Sequence, residues 1–143
     1  MGLEDVVDMM LSLITDYGFS DVSDSDLMED VKIRINMVMA RAGIERITYD
    51  RDMEEFDDEL TVMEATMLAY GLLMMWLSPY INNSEVLSTQ LASKEVTQFS
   101  NANRIQQGIA LYKLAKTEFY QMVIDYDSYQ QRTSILEELE GGN

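Results

Sequence analysis

The sequence predicts an all-α protein: a small helical bundle of three to four main helices, with a long loop between the last two and an extended C-terminal tail. Apolar residues recur at steps of three and four through most of the chain, which gathers them on single helix faces. Capping residues and glycines stand where those stripes begin and end. There is one proline, Pro79, and no low-complexity tract. At 143 residues the chain fits one domain, and a domain this size buries about 68–70% of its unfolded surface. The expected organisation is a helical domain over 1–127 and a tail over 128–143.

The first helix is expected over 2–16, with Leu3, Val6, Val7, Met10, Leu11 and Ile14 on its inner face. Glu4, Asp5 and Asp8 lie in its first turns, where carboxylates favour the positive end of the helix dipole, and Gly18 is a natural stop. The polar stretch Ser20-Asp21-Val22-Ser23-Asp24-Ser25 is rich in capping residues. Ser23 or Ser25 caps a second helix running to about Ala42. Its inward residues are Leu27, Val31, Ile35, Val38 and Ala42, and Gly43 follows as the residue after the cap. Ile44 to Tyr49 is short and partly β-branched; it reads either as a connector or as a brief strand.

Seven acids between Asp50 and Glu59 lead into a third helix of about twenty residues, its stripe Phe56, Leu60, Met63, Met67, Tyr70, Met74 and Leu77. It is expected to end near Ser78-Pro79, because proline drives the preceding residue out of helical geometry. Beyond Leu68 it is apolar nearly all round, with Leu72, Leu73, Met75 and Trp76. That implies burial on more than one side, in the middle of the fold or against another subunit. Tyr80 to Phe99 reads as a long connection with a short helical turn around Ser84 to Leu91. Ser100 then caps a last long helix to about Asp127, with the stripe Ile105, Ile109, Tyr112, Phe119, Val123 and Tyr126. The polar tail keeps one apolar cluster, Ile135, Leu136 and Leu139.

The chain has no cysteine and no histidine. That closes disulfides, thiolate nucleophiles, imidazole bases and the usual zinc sites, and favours a cytosolic setting. The first residues, Met-Gly-Leu-Glu-Asp, carry two acids where a secretory signal would be basic. No apolar stretch approaches the ~20 residues needed to span a bilayer, so no membrane association is expected. A calcium loop starting at Asp50 would need Gly and Glu where Glu55 and Thr61 stand, and one starting at Asp21 fails equally at Asp26 and Lys32. No metal and no cofactor are expected.

Gly-rich phosphate loops and a Gly-x-Ser-x-Gly elbow are absent, so no enzyme is expected. Carboxylate chemistry would require an acid whose pKa is raised by an apolar pocket. Glu64, beside Met63, Met67 and Leu68, is the best candidate; the structural alternative is a helix-surface acid. The twelve methionines fill a core or supply an adaptable protein-binding surface. Trp76 and Tyr80 bracket the end of the third helix, as core residues or as interface anchors.

Ten basic against 26 acidic residues give a net charge of −16. Residues 1–60 hold 17 of the acids and 5 of the bases. Such a field keeps a protein soluble and repels DNA, RNA and anionic lipid. A structural assembly protein suits this character. The alternative is an acidic regulatory module, or DNA mimic, acting on a basic nucleic-acid-binding protein. An enzyme working through carboxylates has the weakest support.

Trp76-Leu77-Ser78-Pro79-Tyr80-Ile81-Asn82-Asn83, then a leucine-bearing loop, then Phe99-Ser100-Asn101-Ala102-Asn103 opening a long helix, resembles the neck proteins of tailed bacteriophages. These are the head–tail connector, or neck adaptor, family, and the resemblance covers residues 70–126. It implies a virion protein of the neck region, assembled in the host cytoplasm. Such adaptors form an oligomeric ring, usually a dodecamer, between the portal protein and a stopper or tail-terminator protein. DNA passes through the ring without specific binding. In that family the C-terminal segment often reaches the portal, which here assigns contacts to Ile135, Leu136 and Leu139. Trp76, Tyr80 and Phe99 complete the expected partner interface.

Overall fold

A computed structural model describes residues 1–18, 22–82 and 95–141. Among these residues there are four helices, α1 (Leu3–Asp16), α2 (Asp24–Ala42), α3 (Val62–Asn82) and α4 (Glu95–Gly141). Between α2 and α3 lie two short antiparallel strands, β1 (Tyr49–Asp50) and β2 (Glu55–Phe56), with Tyr49 opposite Phe56. The all-α class and the bundle are as the sequence predicts.

The first two helices follow local rules. The Asp5 carboxylate accepts from the Gly2 N–H at 2.8 Å, satisfying a donor that the start of α1 leaves free. On α1, Leu3, Val6, Val7, Met10 and Ile14 are buried and Leu11 is half-buried. Ser23 is the cap of α2, its hydroxyl accepting from the Asp26 N–H at 3.2 Å. Gly43 ends α2 at φ 76°, a left-handed conformation that glycine adopts without steric cost. All five expected inward residues of α2 are buried. Ile44 to Thr48 is a connector with Ile44 and Ile47 buried, and Tyr49 opens the brief strand.

Three boundaries differ from expectation. The acidic run 50–59 does not enter α3. Phe56 sits in β2, Leu60 in the following loop, and the helix starts at Val62. Aspartate side chains bind nearby backbone in place of a helix here. Asp50 Oδ1 accepts from the N–H groups of Asp52 at 2.9 Å and Met53 at 3.2 Å, and Asp57 accepts from the Thr48 N–H at 2.8 Å. At its other end α3 runs through Pro79 to Asn82. Pro79 is exposed and only three helical residues follow it, so the missing N–H costs little there.

The third difference is α4, which begins at Glu95, leaving Ser100 inside the helix, and continues past Asp127 to Gly141. Residues 128–140 hold three Glu, two Gln, two Leu and one Arg with no Gly or Pro, a composition that propagates a helix. The tail therefore extends beyond the body as helix, and the 47 residues of α4 span about 70 Å at 1.5 Å per residue. Residues 80–82 and 95–99 of the expected connection are helical. The helical turn expected around Ser84 to Leu91 lies outside the described residues.

The core is organised around α3, which packs against α1, α2 and α4. Met67, Leu68, Leu72, Leu73, Met74 and Leu77 are buried on it, as its all-round apolar character requires. Of the twelve methionines, Met10, Met39, Met67 and Met74 are buried and Met9, Met28, Met63, Met75 and Met122 pack partly buried against the core, while Met1, Met37 and Met53 are exposed. On α4, Phe119 and Tyr126 of the expected stripe are buried, but Ile105, Ile109, Tyr112 and Val123 are only half-buried. The centre of the buried face is turned toward Leu111 and Ala115. Where α4 crosses α3, Gly71 lies against Phe119 and against Val38 of α2; a Cβ there would stand 2.6 Å from a carbon of each. Among the described residues no helix is long and apolar enough to cross a membrane.

Candidate functional surfaces

Glu64 is not a helix-surface acid. It is 1% exposed, the one buried charged residue among those described. Thr61 and Glu64 form a reciprocal capping box at the start of α3. The Thr61 N–H donates to Glu64 Oε1 at 2.9 Å, and the Glu64 N–H donates to Thr61 Oγ1 at 3.1 Å. Arg46 reaches in from the α2–β1 connector and donates Nε to Oε2 at 2.8 Å and Nη2 to Oε1. From the far side the Tyr126 hydroxyl of α4 donates to Oε2 at 2.8 Å. Arg46 also donates to the Glu59 carbonyl at 2.7 Å and to Asp58 at 3.2 Å. One carboxylate thus ties the connector, the acidic loop, the start of α3 and the middle of α4 together.

Burial alone would raise the Glu64 pKa. The Arg46 hydrogen bonds, the Thr61 N–H, the Tyr126 hydroxyl and the Arg46 charge outweigh it and hold the group below the ordinary carboxylate value. General-acid chemistry needs the opposite shift, and four donors already occupy this carboxylate. Its contribution to stability is present at neutral pH and is lost as pH falls through the lowered pKa.

Tyr126 shows the complementary effect. Burial, and then its hydrogen bond to Glu64, push its pKa up to about 12. An unfolded tyrosine ionises near 10, so the folded state keeps the proton longer. Stability from this group is full below pH ~10 and is lost as pH rises toward 12. The thermal midpoint should accordingly fall between these values, and Tyr126→Phe should flatten that fall. An equal slope in both proteins would show that Tyr126 does not titrate late.

A second feature is a groove of about 820 Å³ lined by the start of α1 and residues 54–59, with Met28 and Lys32 of α2 and Tyr49 also in its lining. Seven carboxylates line it, and Lys32 is its one basic side chain. Lys32 pairs with Glu54 at 3.1 Å, and Glu54 holds a left-handed backbone at φ 55°. Tyr49, only 4% exposed, meets Phe56 edge to face at 5.1 Å, and its buried hydroxyl has no hydrogen-bond partner among the described residues. Burial raises its pKa. No cluster among the described residues is suited to hold a metal.

The third surface is the distal part of α4. Tyr126 is its last buried residue, and beyond it Ile135, Leu136 and Leu139 are 56%, 58% and 69% exposed. Of the other expected interface residues, Trp76 is half-buried against the core. Tyr80 and Phe99 fall on α3 and α4, with side chains outside the described residues. The structure therefore does not bring the six into one described patch.

Sequence reasoning missed Thr61, Arg46, Tyr126 and Tyr49 as site residues. The Thr-x-x-Glu spacing of the capping box was a readable signal for the first; the Arg46 and Tyr126 contacts span 18 and 62 residues of sequence and leave no local trace. Comparison of the chain with protein-family models, with curated proteins and with solved structures finds no match.

Proposed function

We propose that this chain is a structural assembly protein, and in its specific form a head–tail adaptor of a tailed phage, forming a ring between the portal and a stopper or tail protein. The observation that carries the assembly reading is the distal α4 segment. A helix that leaves the body and presents Ile135, Leu136 and Leu139 to solvent has apolar surface to bury against another polypeptide. The phage assignment rests on the resemblance of residues 70–126. The net charge of −16 supports it, since walls around a DNA path should not grip DNA; the repulsion acts over about 8 Å at physiological ionic strength.

The test is assembly. Alone, the chain should be monomeric or weakly associated, and with its portal it should form a closed ring visible by electron microscopy. Ile135→Asp with Leu139→Asp should abolish the ring and shift folding stability by no more than ~0.5 kcal/mol, as expected for exposed positions. A tight monomer indifferent to phage portal proteins, or rings unaffected by this double variant, would overturn the reading.

A further inference from the structure

We infer that the face of α4 turned away from the bundle pairs, antiparallel, with the same face of a second copy of the chain. The inference rests on the assembly reading and names the partner for this face. It starts from a periodicity that the packing of the body does not use. Leu111, Ala115, Phe119 and Tyr126 are the buried side of α4. About half a turn round the helix, Tyr120, Ile124, Ser128, Gln131, Ile135 and Leu139 recur at steps of 4, 4, 3, 4 and 4. That is an eleven-residue repeat, which keeps a stripe on one side of a nearly straight helix. Its four apolar members are open. Tyr120 and Ile124 are 50% and 61% exposed on the part of α4 beside the body, and Ile135 and Leu139 are exposed beyond it. Tyr129 and Leu136 lie nearer the line of the buried side and stay outside the pair.

Self-complementarity commits the face to a second copy. The stripe has the same spacing in both directions. With a two-fold axis level with Tyr129 and Gln130, Ile124 meets the partner's Ile135, Tyr120 meets the partner's Leu139 and Ser128 meets the partner's Gln131, each contact occurring twice. Charge follows the same symmetry. Arg132 is exposed and makes no ion pair among the described residues. Asp125 is on the same flank of the helix, seven residues earlier. That is about 10 Å along the axis, too far for a pair within one helix. Antiparallel pairing sets each Arg132 within one turn of the partner's Asp125, on the shared flank. A parallel pair would carry the two acidic bodies side by side, where like charges repel; the antiparallel pair sends them to opposite ends. The contact is one helix against one helix over about 30 Å, at the small end of protein interfaces. A reversible dimer with a dissociation constant of about 1–100 μM is expected.

The chain has no cysteine, so introduced cysteines report the geometry directly. The experiment is sedimentation of the full chain alone, with oxidative cross-linking of single-cysteine variants. Neither Ile124→Cys nor Ile135→Cys should link to itself, and a mixture of the two should give a disulfide-linked dimer. Ile124→Glu should weaken the dimer about tenfold or more, since each substitution enters the interface twice. Tyr129→Glu, of equal charge on another side of the same helix, should weaken it less than about threefold. Arg132→Glu should weaken it about threefold or more, and adding Asp125→Arg should recover most of that loss. A chain still monomeric at ~1 mM overturns the inference. So do single variants that link to themselves, equal losses in Ile124→Glu and Tyr129→Glu, or a charge swap without recovery. Ring formation is scored separately. Rings on a portal from a chain that never dimerises sink the pairing alone, whereas a dimer indifferent to portals leaves the pairing standing and removes the phage reading.

Discussion

Replacing Glu64 by alanine is expected to destabilise the fold by about 3–5 kcal/mol, the range for removing one partner of a buried ion pair. The loss has identifiable parts. The Tyr126 hydroxyl and the Thr61 N–H lose their acceptor, and α3 loses half of its capping box. Arg46, whose side chain is 36% exposed, recovers some water, which keeps the loss from being larger. Against a total of about 5–15 kcal/mol for a domain this size, the variant sits near the edge of folding.

Glu64→Gln should fall between wild type and alanine. It keeps the shape, but it turns an N–H₂ toward groups that are themselves donors. Urea unfolding at neutral pH measures both. The same curves at falling pH should show that the variants have lost the acid-side decline that wild-type Glu64 contributes. A loss below about 1 kcal/mol in Glu64→Ala would mean that the buried pair is no more than a surface ion pair in effect. The paired change Arg46→Met with Glu64→Leu should recover much of the stability, because two apolar groups leave fewer orphaned charges than one broken pair.

The Glu64 cluster also bears on the acidic groove. Arg46 fixes Asp58 and the Glu59 carbonyl, and both residues line the groove. A weakened cluster should therefore loosen the Asp58–Glu59 wall of this groove.

What the sequence made legible was local. The stripe Leu27, Val31, Ile35, Val38 and Ala42, bounded by Ser23 and Gly43, specifies α2 because periodicity, cap and stop agree. The reach of α4 is hidden in the sequence because its distal residues are polar, and polarity alone does not distinguish an exposed helix from a tail. Glu137, Glu138 and Gln131 are polar and good helix formers, so solvent exposure and helicity coexist there. The acidic run misleads in the opposite sense. Its charge suits a helix N-terminus, yet Asp50 and Asp57 bind neighbouring backbone N–H groups and hold a turn. The burial of Glu64 was out of reach, since it depends on Arg46 and Tyr126 arriving from distant parts of the chain.

Gly71 is the position where a single added methyl group should cost most for its size. In an isolated helix Gly→Ala is favourable by ~1 kcal/mol, and Gly71 lies in the middle of α3, so local propensity argues for alanine. The three-helix crossing argues against it. The new Cβ would meet a Phe119 ring carbon and a Val38 methyl, each at 2.6 Å. Phe119 is 1% exposed and Val38 is equally buried, and Val38 is β-branched on a helix, with little rotamer freedom to yield. Overpacking of this kind costs about 1–3 kcal/mol for one methyl group and more for larger side chains. Gly71→Ala should therefore lower stability, and Gly71→Leu should prevent native packing of α3 with α4. Val38→Ala creates a cavity and destabilises alone, but combined with Gly71→Ala it should restore part of the loss, giving a coupling well outside additivity. A stabilising Gly71→Ala, or strictly additive behaviour of the pair in thermal unfolding, would mean that the helices separate freely at this crossing and that their close approach is not what holds α4 to the bundle.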